Sequence, residues 1–156
     1  MTHDSETQTG HRLLGGAVRT ASHHNDLCRG SADTGFAADA AMSMKTDAET
    51  LLEGGCRLAL ETWEVFKQAL DWTGEVIDRS FCHQVGAAHR DRLYEAISLN
   101  SAKDFSTFDS LGNVGSVSLP LTMAMGLERD PPQRGEKIAM LGIGSGLSSV
   151  MLGVQW

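Results

Sequence analysis

A chain of 156 residues can hold one domain with a modest core, and its 41% hydrophobic and 21% charged content is that of an ordinary soluble globular protein. No apolar run approaches the roughly 18 residues of a membrane span. Thirteen Lys and Arg against 20 Asp and Glu give a net charge of −7 with no basic stripe, which argues against nucleic acid as a partner, because phosphate binding needs clustered cations.

Residues 1–12 are polar and read as a disordered leader ahead of one domain over 13–156. His3, Asp4 and Glu6 supply neither the basic n-region nor the apolar h-region of a signal peptide. Cys28, Cys56 and Cys82 are far apart and odd in number, so they read as reduced thiols of a cytoplasmic protein. Residues 13–22 read as a strand, with Gly15 and Gly16 allowing another backbone to approach closely. From His23 to Ser43 no periodicity emerges, and the stretch reads as a long functional loop or cap. His23, His24 and Cys28 lie in it, but a zinc site needs about four ligands and no second pair is near. No metal or other cofactor is expected.

Thr46-Asp47-Ala48-Glu49 fits a capping box, in which hydroxyl and carboxylate satisfy free amides reciprocally. Leu52, Cys56, Ala59, Trp63, Phe66 and Leu70 follow at spacings of three and four, one apolar helical stripe. Gly54-Gly55 weakens that helix locally and marks close packing against another element. After Gly74, residues 75–82 read as a strand leading to His83. The next helix is expected over Gln84–Leu99, with Val85, Ala88, Leu93, Ala96 and Ile97 buried and Arg90, Asp91, Arg92 and Glu95 in water. Phe105–Phe108 is a short strand candidate. Leu121–Leu127 is apolar nearly all round, which predicts a helix buried on most sides, with Pro120 kinking it or sitting in its first turns. Arg129–Glu136 is a surface turn. Lys137–Ile143 and Leu147–Val154 are strands joined by Gly144-Ser145-Gly146. The alternation of elements indicates a layered α/β fold with a mixed sheet and a buried helix.

The chemistry concentrates on Ser80-Phe81-Cys82-His83-Gln84-Val85-Gly86. His83 is expected at the carboxyl end of a strand, where open α/β sheets bind ligands. Cys82 and His83 together suggest a thiol–imidazole dyad, but adjacent strand residues point to opposite faces, so one is buried and the other exposed. Gly142-Ile143-Gly144-Ser145-Gly146 lacks the helix and the acidic residue about 20 positions on that a dinucleotide fingerprint needs. Ser145 is out of register for a nucleophile elbow. Taken singly, His83 reads as a structural histidine and Asn113 as a turn residue.

Three segments together say more. Cys82-His83-Gln84-Val85-Gly86-Ala87-Ala88-His89 is similar to the His-Gln-x-(Asn/Gly) signature of the β-ketoacyl-acyl-carrier-protein synthase III group. Leu111-Gly112-Asn113-Val114-Gly115-Ser116-Val117-Ser118-Leu119-Pro120 resembles that group's Gly-Asn segment, and Leu141-Gly142-Ile143-Gly144-Ser145-Gly146-Leu147 resembles its C-terminal glycine-rich turn. They follow in the family's order, and the likeness covers roughly residues 13–156. Cys-His-Gln-Val-Gly and Leu-Gly-Asn-Val-Gly resemble in particular the thiolase-like enzymes that join two acyl-CoA chains head to head in olefin or β-lactone biosynthesis.

The resemblance implies one half, the C-terminal one, of a pseudo-duplicated, five-layered α/β fold. It implies that His83 and Asn113 donate hydrogen bonds to a thioester carbonyl, where two neutral donors would stabilise an enolate. A histidine near a helix N-terminus is biased towards the neutral form, which suits donation. Gly144, Ser145 and Gly146 are implied to offer backbone amides to the oxyanion of the first acyl transfer. The family's nucleophilic cysteine lies in its N-terminal half, and Cys28, Cys56 and Cys82 do not match it. Substrates are expected to be acyl-CoA or acyl-carrier-protein thioesters. The expected partner is a separate chain carrying the missing half, or a further subunit of a homo- or heterodimer. The leading expectation is therefore the C-terminal portion of an acyltransferase catalysing Claisen condensation, inactive by itself. The alternatives are a non-catalytic truncated remnant and an acyl-thioester-binding subunit lacking the nucleophile.

Overall fold

The computed structural model describes residues 10–30 and 44–156, with the backbone alone at 28–30 and 44–46. Ten elements and a few short 3-10 turns make up these residues. Strand β1 (Arg12–Thr20) leads to β2 (Cys28–Gly30) and β3 (Met44–Thr46), which pair antiparallel with each other. Helix α1 (Ala48–Leu70) and strand β4 (Arg79–Cys82) come next. Helices α2 (Ala87–Ala96), α3 (Phe108–Leu111) and α4 (Ser118–Arg129) then precede strands β5 (Lys137–Gly144) and β6 (Ser148–Gln155).

Four strands form one mixed sheet in the order β1-β6-β5-β4, in which only β4 and β5 run parallel. A parallel pair cannot be joined by a tight turn, so the chain from Cys82 to Lys137 makes the crossover, and it carries α2, α3 and α4. Side chains of β4 alternate between faces. Ser80 bonds the Tyr94 hydroxyl of α2 at 2.9 Å and Cys82 joins the core with Trp63, Phe66 and Leu93, whereas Phe81 turns to α4. Helices α1 and α2 thus cover one face and α4 the other.

Helix α1 is one continuous helix through Gly54 and Gly55, and it buries Leu58, Ala59, Thr62, Trp63 and Phe66 against the sheet. The glycine pair marks close packing, as its sequence suggested: a Cβ at Gly54 would stand 3.1 Å from both His24 Nε2 and Leu147 Cδ1. One at Gly55 would stand 3.0 Å from Ile143 Cδ1. The cap differs from expectation. Asp47, not Thr46, is the N-cap, and its carboxylate accepts from the Thr50 amide at 3.1 Å. The carboxylate satisfies the free amide alone, so Glu49 is not required to reach back.

Other boundaries moved for identifiable reasons. The strand before His83 starts at Arg79 rather than 75, because residues 74–76 form a turn in which Val76 is exposed. The Lys103 ammonium holds that region, donating to the carbonyls of Gly74, Glu75 and Ile77. Helix α2 starts only at Ala87, and Val85 and Ala88 are exposed. Its inner face is Leu93 and Tyr94, with Ile97 and Leu99 beyond its end. Residues 105–107 are not a strand; a single bridge joins Asp104 to Ser80, and Thr107 opens the one-turn helix α3. The stretch read as a cap contains a 3-10 turn at Ser22–Leu27 and strand β2, while residues 31–43 lie outside the described residues, as do residues 1–9 of the expected leader. Residues 11 and 12, also placed in the expected leader, are ordered: His11 stacks on Trp156 with ring centroids 3.4 Å apart and β1 begins at Arg12.

Helix α4 is the main correction. Pro120 sits in its first turn, where its missing N–H costs nothing, but the helix is not buried on most sides. It meets the sheet through small residues one turn apart, Ser118, Thr122 and Gly126. Leu121 and Met125 remain 37% exposed, and Val117 just before the helix 53%. Small residues permit the close seat: a Cβ on Gly126 would lie 2.5 Å from Phe81 and 2.9 Å from Phe105. Gly126→Ala gains up to about 1 kcal/mol in helix propensity but overpacks this contact by about 1–3 kcal/mol. We predict a net loss of stability in denaturant unfolding; an unchanged or raised midpoint would show that α4 is not seated there.

Candidate active site

Strand β4 ends at Cys82, opposite Leu141 of β5, and the peptide that follows is held at both ends. The His83 amide donates to the Leu141 carbonyl at 2.9 Å, extending the parallel ladder by one bond. The Cys82 carbonyl of the same peptide accepts from Gln84 Nε2 at 2.7 Å. The His83 carbonyl then accepts from the Val85 amide at 3.0 Å, turning the chain towards α2. These bonds fix the backbone of His83 and the direction in which its side chain leaves the sheet. His83 is half-buried beside a cleft of about 260 Å³, lined also by Cys82, Gln84, Arg90, Ser106 and Phe108.

The other two segments reach the same end of the sheet by different routes. Leu119 of α4 lies 3.6 Å from where a Cβ of Gly142 would be, while Gly126 lies over Phe81, so the N-terminus of α4 sits towards the carboxyl ends of β4 and β5. The loop carrying Asn113 precedes that N-terminus. Asn113 is exposed; its Oδ1 accepts from the Gly115 amide at 2.9 Å and from Ser118 Oγ at 3.4 Å, which leaves its Nδ2 to donate outward. Gly144, Ser145 and Gly146 form the β5–β6 turn, roughly 10 Å along the strand from Leu141 at about 3.3 Å per residue. Gly146 has φ +85°, and a Cβ at Gly144 or Gly146 would meet nothing within 4 Å. All five residues singled out from sequence thus gather at one end of the sheet. His83 alone among them lines the cleft.

The cysteines are not poised as nucleophiles. Cys82 is buried, and its Sγ donates to Asp104 Oδ2 and accepts from Gln84 Nε2, both at 3.7 Å, instead of meeting His83 as a dyad. Burial, then the neighbouring Asp104 carboxylate, pushes the Cys82 thiol well above its ordinary range, and burial raises Cys56 as well. The Cys28 side chain lies outside the described residues. Burial holds His83 below the ordinary histidine range, and the α2 N-terminus begins four residues on. His89 is lowered by burial and then by repulsion from His83.

Behind the cleft is a buried polar network that the sequence reading did not find. Arg90, expected in water, donates through Nε to the fully buried Asp104 carboxylate at 2.6 Å and through Nη2 to the Ser101 carbonyl at 3.0 Å. Burial raises Asp104 despite that partner, and its Oδ1 has no hydrogen bond among the described residues. Gln84 is 3% exposed, and its Oε1 accepts from Ser106 Oγ at 2.8 Å and the Thr107 amide at 3.3 Å. A helix pattern offered no signal for these pairs. No three His, Cys, Asp or Glu side chains converge to hold a metal ion, and no helix is long and apolar enough to cross a membrane, among the described residues.

The family profile described as 3-oxoacyl-[acyl-carrier-protein] synthase III, C terminal, matches residues 68–156. The chain belongs to this family. Among relatives of the synthase III C-terminal family, the chain is 42% identical over 147 residues to an acyl-CoA:acyl-CoA alkyltransferase of Shewanella oneidensis, covering 94% of this chain and 42% of that protein. It is similar to Xanthomonas campestris OleA solved with bound lauric acid and lauroyl-CoA, at TM-score 0.86 and 34% identity over 98% of this chain and 43% of that one. The 3-oxoacyl-(acyl carrier protein) synthase III FabH of Xanthomonas oryzae pv. oryzae gives TM-score 0.86 at 33% identity, again over 98% and 43%. The fold is thiolase-like, and the chain spans about two fifths of the length of these relatives.

A histidine whose folded pKa lies below its unfolded value binds fewer protons when folded, so stability rises with pH between the two values. His83 and His89 both shift this way. Unfolding free energy should therefore fall as pH drops below about 6.5 and level off once the folded imidazoles have titrated. His89→Asn should flatten the slope; a stability that rises on acidification through this window would contradict the assignment.

Proposed function

We propose that this chain contributes the carbonyl-binding half of a condensing acyltransferase that joins two acyl thioesters in a Claisen reaction. A base outside the described residues takes a proton from the carbon next to one thioester, and the C–H electron pair left behind moves negative charge onto the thioester oxygen; the thiolate released later takes up a proton in turn. His83, as neutral imidazole, and Asn113, through Nδ2, donate to that oxygen and stabilise the enolate as it forms. The carbanion attacks the carbonyl of a second acyl group, a new carbon–carbon bond forms, and the thiol that carried that group leaves. The turn Gly144-Ser145-Gly146 offers backbone amides to the oxyanion of the acyl-transfer step. The observation that carries this reading is the pinned peptide before His83, at the sheet end where Asn113 and the glycine turn also gather.

Fixed donors in a dry site are worth most where charge develops, and the two sides of the cleft bear on that. Its volume of about 260 Å³ is below the roughly 300–1,000 Å³ of a closed ligand pocket, so a further surface is needed to enclose an acyl chain. Val117, Leu121 and Met125 on one side of α4, and Val18 on β1, leave apolar surface for such a partner. The nucleophile also comes from outside the described residues, since Cys56 and Cys82 are both held protonated. Relatives named for acyl-CoA alkyl transfer, and one solved with lauroyl-CoA, support acyl-CoA as the substrate class. A thioester-binding chain without turnover is the second reading, and the protonated cysteines favour it equally.

Co-expression with a chain supplying the remaining part of the thiolase-like fold decides between them. The first reading predicts a co-eluting complex that releases CoA from lauroyl-CoA, with His83→Ala lowering the rate by about 10²–10³-fold. A complex that binds lauroyl-CoA without releasing CoA supports the second. Turnover unchanged by His83→Ala would refute the role given to His83.

A further inference from the structure

The two donors stand on different elements, and no backbone ladder connects them. A chain of buried side-chain hydrogen bonds does. It begins at the Cys82–His83 peptide, whose carbonyl accepts from Gln84 Nε2 at 2.7 Å. The other end of the same amide, Gln84 Oε1, accepts from Ser106 Oγ at 2.8 Å and from the Thr107 amide at 3.3 Å. Thr107 Oγ1 shares a hydrogen bond of 2.6 Å with Thr122 Oγ1 of α4. One turn earlier on α4, Ser118 Oγ donates to Asn113 Oδ1 at 3.4 Å and accepts from the Val114 amide at 3.1 Å. Gln84, Thr107, Thr122 and Ser118 are all buried.

We infer that Gln84 is a positioning residue: it locks the peptide that aims His83 and, through Thr107 and Thr122, sets the place of the helix that carries Asn113.

Three physical points carry this. First, the orientation of the Gln84 amide is determined, because the Cys82 carbonyl needs an N–H and the Thr107 amide needs an oxygen. Second, the bonds from Gln84 to the Cys82 carbonyl and the Thr107 amide, and the Thr107–Thr122 bond, are buried, and a buried donor or acceptor deprived of its partner costs about 1–3 kcal/mol, so this part of the chain resists slipping. Third, the two halves of α4 are held differently. At its C-terminal end Arg79 of β4 donates to the Asp130 carbonyl at 2.6 Å and carboxylate at 2.8 Å, and Gly126 is seated on Phe81 and Phe105. In the N-terminal half the buried residues Ser118 and Thr122 are small and Leu121 points outward, so the Thr107–Thr122 pair is the polar tie nearest the loop that carries Asn113. A shift of α4 would move Ser118, and with it the oxygen that orients the Asn113 amide.

The inference rests on the donor roles proposed for His83 and Asn113, and its test has to fail separately from them. We would compare Gln84→Met, Thr122→Val and Thr122→Ser. The valine keeps the volume and removes the hydroxyl; the serine keeps the hydroxyl. In the isotopically labelled 156-residue chain, Gln84→Met and Thr122→Val should each move the Asn113 side-chain amide resonance and the His83 imidazole resonances, and Thr122→Ser should restore both. In the assembled complex, Thr122→Val should lower kcat about 10- to 10²-fold, as misplacement by an ångström does, with KM little changed. If Gln84→Met does not fold, Thr122→Val decides. Resonances of both donors unmoved in folded Thr122→Val would overturn the inference, and so would an equal kcat in Thr122→Val and the parent complex. A parent complex without turnover refutes the donor roles instead, and the resonance comparison still settles the positioning role.

Discussion

One peptide plane, between Cys82 and His83, sets the geometry at the end of the sheet. Its N–H completes the parallel ladder with β5, and its C=O is taken by the side chain of the next residue. Neither partner alone would suffice. A strand end held only by its ladder frays, and a carbonyl turned to solvent leaves the following residue free to rotate. With both ends held, His83 leaves the sheet in one direction, and the buried Cys82 behind it becomes core rather than chemistry. The parallel pairing also explains the crossover. Because β4 and β5 run the same way, 54 residues between Cys82 and Lys137 must return to the start of β5, and they carry α4 and Asn113 back to the sheet on the way.

Burial is uneven across the two faces of the sheet. Trp63, Phe66, Ile77 and Leu141 are almost wholly buried on the face covered by α1 and α2, and Phe81 is buried beneath α4, whereas α4 turns Leu121 and Met125 outward. A helix apolar nearly all round is thus buried on one side only among the described residues. In the proposed reaction these residues supply two donors and part of the wall beside the cleft of about 260 Å³, and the nucleophile comes from elsewhere.

Much of this was legible from residue order. The strands at both ends, the long helix through Gly54 and Gly55 and the turn at Gly144–Gly146 followed from periodicity, and alternation separated Cys82 from His83 without saying which of them is buried. The errors share a cause. The capping residue, the start of β4 and the span 105–108 depend on which side chain wins a local backbone group, and pattern reading does not see that competition: Asp47 took the Thr50 amide and Lys103 took the carbonyls of the turn before β4. Asp104 and Arg90 were invisible for a related reason. Their pairing is 14 residues apart and sits behind the cleft, so neither helical nor strand periodicity marks it. Burial lowers the His83 pKa, the direction also expected from its place before a helix.

The most direct test of the donor assignment is vibrational. Lauroyl-CoA carrying a labelled thioester carbonyl, bound to the assembled complex, reports the hydrogen bonds to that oxygen in its isotope-edited infrared spectrum. The account predicts a carbonyl stretch displaced to lower frequency than in water, with the displacement reduced in His83→Phe and reduced again when Asn113→Ala is added. A frequency equal to that of free lauroyl-CoA, or a full displacement retained in the double variant, would contradict it.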